Sequence, residues 1–182
     1  IALRLVGSEM CIRDSPSALL VHRLDRDTSG VMVFALSAHA QRHLGLQFEK
    51  RQSQKTYVAR VMGQVEGDEG IIDLPIIVDW PNRPKQKICH DTGRSAVTQW
   101  HVINRDIKET RLKLKPQTGR SHQLRIHMME FGHPILGDPF YGTPESQTVS
   151  RLMLHSHRLR LRHPDGGESV SYTHLRAHET KC

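Results

Sequence analysis

Arg111-Leu112-Lys113-Leu114-Lys115 alternates strictly between cationic and apolar side chains. Successive side chains of a strand point to opposite faces, so this stretch predicts a strand with one buried face and one cationic face. Val31 to Leu36 is a short continuous apolar run, consistent with a buried strand. Lys55 to Met62, Val97 to Ile103 and Leu152 to Leu161 also have strand composition. Ile71 to Val78 is an apolar run interrupted by Pro75, after a turn at Gly67 to Gly70. The stretch from Pro81 to Lys87, with Pro84 and the basic Arg83, Lys85 and Lys87, predicts a loop, and His163 to Gly167 a turn. Only two segments have helical signals. Ser37 is a candidate N-cap for a helix to about Lys50, with Ala40, Leu44 and Phe48 on one face. A second helix is expected from about Ser121 to Phe131, with Gly132 as its C′ residue and Pro134 beyond. Many strands with two widely separated helices predict an α+β fold, its sheet mixed and largely antiparallel, with flanking helices.

The chain has 182 residues, enough for one domain with a real core. Its formal net charge is +7, which suits a polyanionic partner, most often nucleic acid. Residues 1–15 and 169–182 show no element pattern and resemble translated sequencing-adapter read-through, so fold reasoning sets them aside. The second of these stretches carries one net positive charge and the first none, so the basic balance belongs to the residues between. Three irregularly spaced cysteines argue against a disulfide framework or a zinc ribbon. With no long apolar run and no secretory pattern at its start, the chain is expected in a reducing cytoplasm, with no membrane span.

Two charged constellations stand out. His22-Arg23-Leu24-Asp25-Arg26-Asp27-Thr28-Ser29-Gly30 puts carboxylates among guanidiniums, where opposite charge keeps a carboxylate ionised. Such a group serves as nucleophile or electrostatic anchor rather than as acid. Spacing alone does not choose between Asp25 and Asp27, and a solvated turn with surface ion pairs is the plainer alternative. The small residues after them would let a ligand approach closely. Gly119-Arg120-Ser121-His122-Gln123-Leu124-Arg125 adds two more arginines. One of Arg120 and Arg125 could grip Asp25 as a bidentate fork while the other meets phosphate. Thr118 and Gly119 at the helix start could cradle an anion. Tyr57 could stack on a base or simply fill the core. The histidines lack metal-ligand spacing, and no set of partners completes a site, so no metal is expected.

Together these residues resemble the RluA family of RNA pseudouridine synthases. His22 to Gly30 matches its His-Arg-Leu-Asp-x-x-Thr-Ser-Gly motif, and Lys55 to Ala59 its Lys-x-Tyr-x-Ala motif. Gly119 to His127 matches Gly-Arg-x-His-Gln-Leu-Arg-x-His, and Gly132 to Gly142 the continuation that ends Gly-Asp-x-x-Tyr-Gly. Residues 73–76 and 79–87 are similar to a family member with dual specificity, acting on a 23S rRNA hairpin loop and the first uridine of certain tRNA anticodon loops.

The resemblance implies a pseudouridine synthase catalytic domain over residues 16–168. It implies Asp25 as the catalytic aspartate, Arg125 as its partner, Tyr57 stacked on the target base and Leu124 lining the pocket. Arg23 is expected to enter the RNA stack where the base left it, with Arg26, Arg120, His122, Lys85 and Lys87 binding RNA. The target uridine would be flipped out of its stack. Uracil would then be detached, rotated and rejoined through C5, with no cofactor and no metal, by a monomer. The family's Asn-Lys-Pro segment before the aspartate motif and its last strand near an Ala-Pro pair are absent, so the sheet is expected to be truncated at both ends, with exposed edges. The alternatives are a non-catalytic RNA-binding module and, more remotely, a metal-dependent hydrolase using the histidines.

Overall fold

The computed structural model describes residues 18–166 and 169–173, and the backbone of residues 4–5. The expectation that residues 1–15 and 169–182 stand apart therefore falls largely outside the described residues. In chain order the elements are β1 (Arg4–Leu5), β2 (Leu19–Leu20), β3 (Ser29–Gly30), β4 (Val33–Ala35), α1 (Ala38–Glu49), β5 (Gln54–Met62), β6 (Glu69–Asp73), β7 (Ile76–Val78), β8 (Gln86–Ile88), β9 (Val97–Arg105), β10 (Glu109–Pro116), α2 (Gln123–Glu130), β11 (Leu154–Arg162) and β12 (Ser169–Thr173). They form two compact units. The first is built from residues 1–24, 29–55 and 156–182, the second from residues 25–28 and 56–155.

In the first unit β4 lies between β1 and β2, antiparallel to both. Helix α1 contains no β-branched residue and starts where the Ser37 hydroxyl accepts the Ala40 N–H at 3.1 Å. Ala40 and Leu44 are buried with Val31, Val33, Ala35, Leu159 and Leu161, and Phe48 packs against them, so the expected face is the buried one. Leu44→Ala would cost about 2–5 kcal/mol through lost transfer energy and a cavity. β11 pairs with β12, antiparallel, so residues 169–173 form a strand although their sequence shows no strand pattern. Gly30 has a φ of +118°, and a Cβ there would collide with the Ser156 carbonyl. The small residue is needed because β11 crosses close by, with Val31 N–H donating to Ser156 O at 2.8 Å. Approach of a ligand, the sequence-based reason for small residues here, does not account for Gly30.

The second unit holds an antiparallel sheet in the order β5-β10-β9-β6. Leu112 pairs with Ala59 and Val102, and Leu114 with Tyr57 and Trp100. Leu112 and Leu114 are buried with Ala59, Val61, Trp100, Leu124 and Met128, as the alternation requires. Arg111, Lys113 and Lys115 take the other face. Pro75 splits the apolar run of residues 71–78 between two sheets, because β7 pairs with β8 and β6 with β9. The expected loop over residues 81–87 is thus partly strand, with Gln86 and Lys87 in β8.

Helix α2 starts at Gln123, two residues later than expected, because His122 is left-handed with a φ of 53°. Its far end closes as a Schellman motif. Gly132, with a φ of +85°, donates to Met129 O and His133 N–H to Met128 O, both at 2.9 Å.

Candidate active site

The Asp25 loop is a tight turn, closed by Thr28 N–H donating to Asp25 O at 2.9 Å. Asp25 is half-buried. Arg26 has a side chain 91% exposed and lies 3.4 Å from Asp27, a surface pair of little energetic weight. Asp27 is therefore the carboxylate with a local partner. Asp25 receives no side-chain hydrogen bond among the described residues. On the entry side, His22 Nε2 accepts the Val33 N–H at 3.0 Å, and the ring stacks on Phe48 at 4.6 Å. Burial, reinforced by the Lys55 charge, lowers the His22 pKa to about 4, which keeps the ring neutral and able to accept. Burial and then Arg51 lower the Lys55 pKa in turn.

Arg125 does not pair with Asp25. Its guanidinium is 1% exposed and grips Asp138, Nε to Oδ2 at 2.7 Å and Nη2 to Oδ1 at 2.6 Å. The reason is local. Gly137 and Asp138 turn the chain so that Asp138 Oδ1 also accepts the N–H groups of Phe140 (2.8 Å) and Tyr141 (3.1 Å). A fully buried carboxylate needs all of these donors. Burial alone would lower the Arg125 pKa, but the hydrogen bonds and charge of Asp138, with a smaller pull from Asp25, raise it. Asp25 thus feels Arg125 through space and without contact. The guanidinium lies over the rings of Phe140 at 5.0 Å and Tyr141 at 5.4 Å.

Tyr141 is buried, and desolvation pushes its pKa up to about 12. Its hydroxyl accepts the Gln86 N–H at 2.7 Å and lies 2.9 Å from His122 Nδ1. A phenol that holds its proton can donate to that nitrogen when Nδ1 is the unprotonated one. The β8 strand, which follows Lys85 and contains Lys87, is thereby tied to the turn after Asp138. Lys85 is half-buried and Lys87 exposed, and Arg83 stacks over Trp80 at 4.5 Å. His122, expected to meet RNA, stacks on Phe140 at 5.6 Å. Arg120 is also engaged internally, Nε donating to Ser95 O at 3.2 Å.

Gln123 occupies the place where an anion cradle was expected. Its Oε1 accepts from the Thr118 hydroxyl (2.7 Å) and Arg120 N–H (3.0 Å), while its amide donates to Val97 O and Thr98 Oγ1. His127 is fully buried between Thr98 Oγ1 and Leu74 O, and burial lowers its pKa. These two residues fasten α2 to β9 and so fix Leu124 and Arg125. Leu124 is 7% exposed, and Tyr57 packs half-buried against the same core. Arg111 and Lys113 lie on the opposite face of the sheet from Tyr57, beside the Arg60–Glu109 pair with its hydrogen bonds of 2.8 and 2.6 Å. The cationic face of β10 therefore does not flank the Tyr57 wall. Arg23 is exposed in the first unit. Among the described residues no group of three or more His, Cys, Asp or Glu side chains could hold a metal ion. No helix there is long and apolar enough to cross a membrane.

Sequence reasoning missed Asp138, Tyr141, Gln123 and His127. All four lie in the motifs already singled out, but a local pattern does not say which polar residues turn inward.

The second unit thus holds an open carboxylate turn, a buried arginine whose charge interacts with it, and an aromatic and a leucine packed in one core on an antiparallel sheet. The chain belongs to the RNA pseudouridylate synthase family, whose model matches residues 12–130. It is 56% identical over 161 residues to the dual-specificity RNA pseudouridine synthase RluA of Yersinia pestis, covering 87% of this chain and 78% of that protein. It is 52% identical over 162 residues to the Escherichia coli K12 protein of the same name, covering 88% and 74%. Among solved structures, human RNA pseudouridylate synthase domain containing 1 superposes with a TM-score of 0.79 at 28% identity, over 88% of this chain and 70% of that one. Human RNA pseudouridylate synthase domain containing 4 gives 0.74 at 25% identity, over 89% and 72%.

Proposed function

We propose that this chain converts uridine to pseudouridine in structured RNA, in a 23S rRNA hairpin loop and at the first uridine of certain tRNA anticodon loops, with Asp25 as the catalytic carboxylate. The observation that carries the reading is the contrast around Arg125. Asp138 satisfies its hydrogen-bonding fork, while its charge still acts on an Asp25 whose own oxygens remain open to a ligand. The target nucleotide leaves its stack, at a cost of a few kcal/mol that stacking on Tyr57 and phosphate contacts offset. Asp25 engages the ribose as the N1–C1′ bond breaks. Uracil turns against Tyr57 and Leu124, C5 bonds to C1′, the C5 proton leaves and N1 gains one. Atoms and electrons balance within the nucleotide, so the reaction calls for no cofactor or metal. Arg23, Arg26, Arg120, His122, Lys85 and Lys87 are the proposed RNA contacts, with Arg23 filling the gap left by the base. All these side chains come from one chain, so a monomer suffices, acting in the cytoplasm where these RNAs are found.

The test is tritium release from rRNA hairpin and tRNA transcripts labelled at uridine C5. Release by the parent chain and none by Asp25→Asn, with RNA still bound, is the expected result. Binding without release by the parent would mean a non-catalytic RNA-binding module.

A further inference from the structure

The end of β11 carries a row of cations that the proposed site does not use. Arg158, Arg160 and Arg162 are exposed, whereas Leu159 and Leu161 between them are 2% and 3% exposed in the core of the first unit. Alternate residues of a strand lie about 6.8 Å apart on one face, so three guanidiniums stand in line. Their partners across β12 are Thr173, Ser171 and Ser169, all hydroxyls. Arg158 Nε donates to Ser171 Oγ at 2.6 Å. Among the described residues none of the three has a carboxylate at ion-pair distance, whereas Arg60, Arg105 and Arg125 each do.

The row is also held in place. Gln47 of α1 is only 3% exposed and spends both ends of its carboxamide on the backbone of Arg162. Its Nε2 donates to Arg162 O at 2.9 Å, and its Oε1 accepts Arg162 N–H at 2.8 Å. A buried side chain here pairs with the strand as a neighbouring strand would, and the two leucines anchor the opposite face. Three adjacent like charges repel one another, and among the described residues no acid lies at ion-pair distance to relieve them. A polyanion with regularly spaced charges would.

We propose that Arg158, Arg160 and Arg162 form a phosphate-binding rail for the backbone of the RNA substrate, reading charge and spacing and no base. This rests on the reading of the chain as an RNA pseudouridine synthase. Guanidinium forks suit phosphate oxygens, and their spacing along the strand is comparable to that of successive phosphates in an extended nucleic-acid strand.

The experiment compares the parent with Arg158→Gln/Arg160→Gln, Arg158→Lys/Arg160→Lys and a charge-matched Lys50→Gln/Lys108→Gln control. The probe is a tRNA transcript tritiated at uridine C5. Binding is followed by anisotropy from low to moderate salt, release kinetics are measured on the same RNA, and thermal melting reports the fold. The double glutamine variant should melt like the parent and bind about tenfold more weakly, its log–log salt slope reduced by about 1.5–2. KM should rise with kcat at saturating RNA unchanged. The double lysine variant should keep most of the salt slope, and the lysine-to-glutamine control should stay within about twofold of the parent in affinity. A glutamine variant with the parent's slope and KM, or no different from the control, would overturn the rail. Absence of release by the parent would overturn the proposed function instead, and the salt slopes would still decide the rail as an RNA-binding surface.

Discussion

Two carboxylates of the second unit sit within the electrostatic field of the same arginine, and they are opposites. Asp138 is fully buried, and its two oxygens accept from Arg125 twice and from two backbone N–H groups. Asp25 is half-buried in a turn and accepts no side-chain hydrogen bond among the described residues. A buried carboxylate with both oxygens held by a guanidinium is a structural part, since reaction there would strand that guanidinium. A carboxylate beside the same charge with its oxygens uncommitted can take up a substrate. The arginine is thus fixed by one acid and felt by the other.

The sharpest way to break that contrast is to neutralise each acid in turn. Asp25→Asn should lower tritium release by about a thousandfold or more while leaving melting and RNA affinity close to the parent's. Release at the parental rate would remove Asp25 from the chemistry. Asp138→Ala should instead act on the fold, costing about 3–5 kcal/mol in urea denaturation because Arg125 is left charged and unpaired. Asp138→Leu combined with Arg125→Met should recover most of that stability and none of the activity. A cost under about 1 kcal/mol for the single change would show that the pair is not buried as described.

The first-unit segment that leads into the open loop in sequence has a pH signature. His22 titrates at about 4 in the folded chain against 6.5 for an ordinary histidine. As pH falls, the unfolded chain takes up this proton first, so the contribution of His22 is complete above about 6.5 and drains away toward 4. The loss should reach at most about 3 kcal/mol, and His22→Asn should flatten that part of the stability profile. A parental profile unchanged by His22→Asn would rule the device out. Tyr141→Phe removes the acceptor for Gln86 N–H and the hydrogen-bond partner of His122, and should cost about 1–2 kcal/mol in the same urea assay. Smallest of all, Asp27→Asn breaks only an exposed pair with Arg26 and should leave release within about twofold. A large loss there would mean that the two acids of the turn had been assigned the wrong way round.

The parts of the structure legible in the sequence are those governed by local periodicity. The alternation at Arg111–Lys115 gave the register of β10 against the core, and Ser37, Ala40 and Leu44 gave the cap and buried face of α1. Gly132 marked the end of α2. What escaped depends on contacts distant in sequence. Residues 86–88 carry too little pattern to announce a strand, and β8 exists because β7 pairs with it and Tyr141 holds Gln86. The polar residues of the Gly119–His127 motif look alike on paper, yet Gln123 and His127 are buried fasteners and Arg120 is half-buried. The partner of Arg125 was misjudged for the same reason. Asp138 is thirteen residues away along the chain, and nothing short of the fold says that its turn brings it closer than Asp25.

The seat of Gly30 against Ser156 has a consequence for how the protein is made. The backbone just past the Asp25 turn is fastened to a strand 125 residues further along the chain, through Val31 O and the Ser156 hydroxyl as well as the main chain. Contacts of such long range form late, because closing the intervening chain costs entropy before any contact repays it. On the ribosome the segment that carries Gly30 and Val31 cannot reach its native pairing until Ser156 has left the exit tunnel.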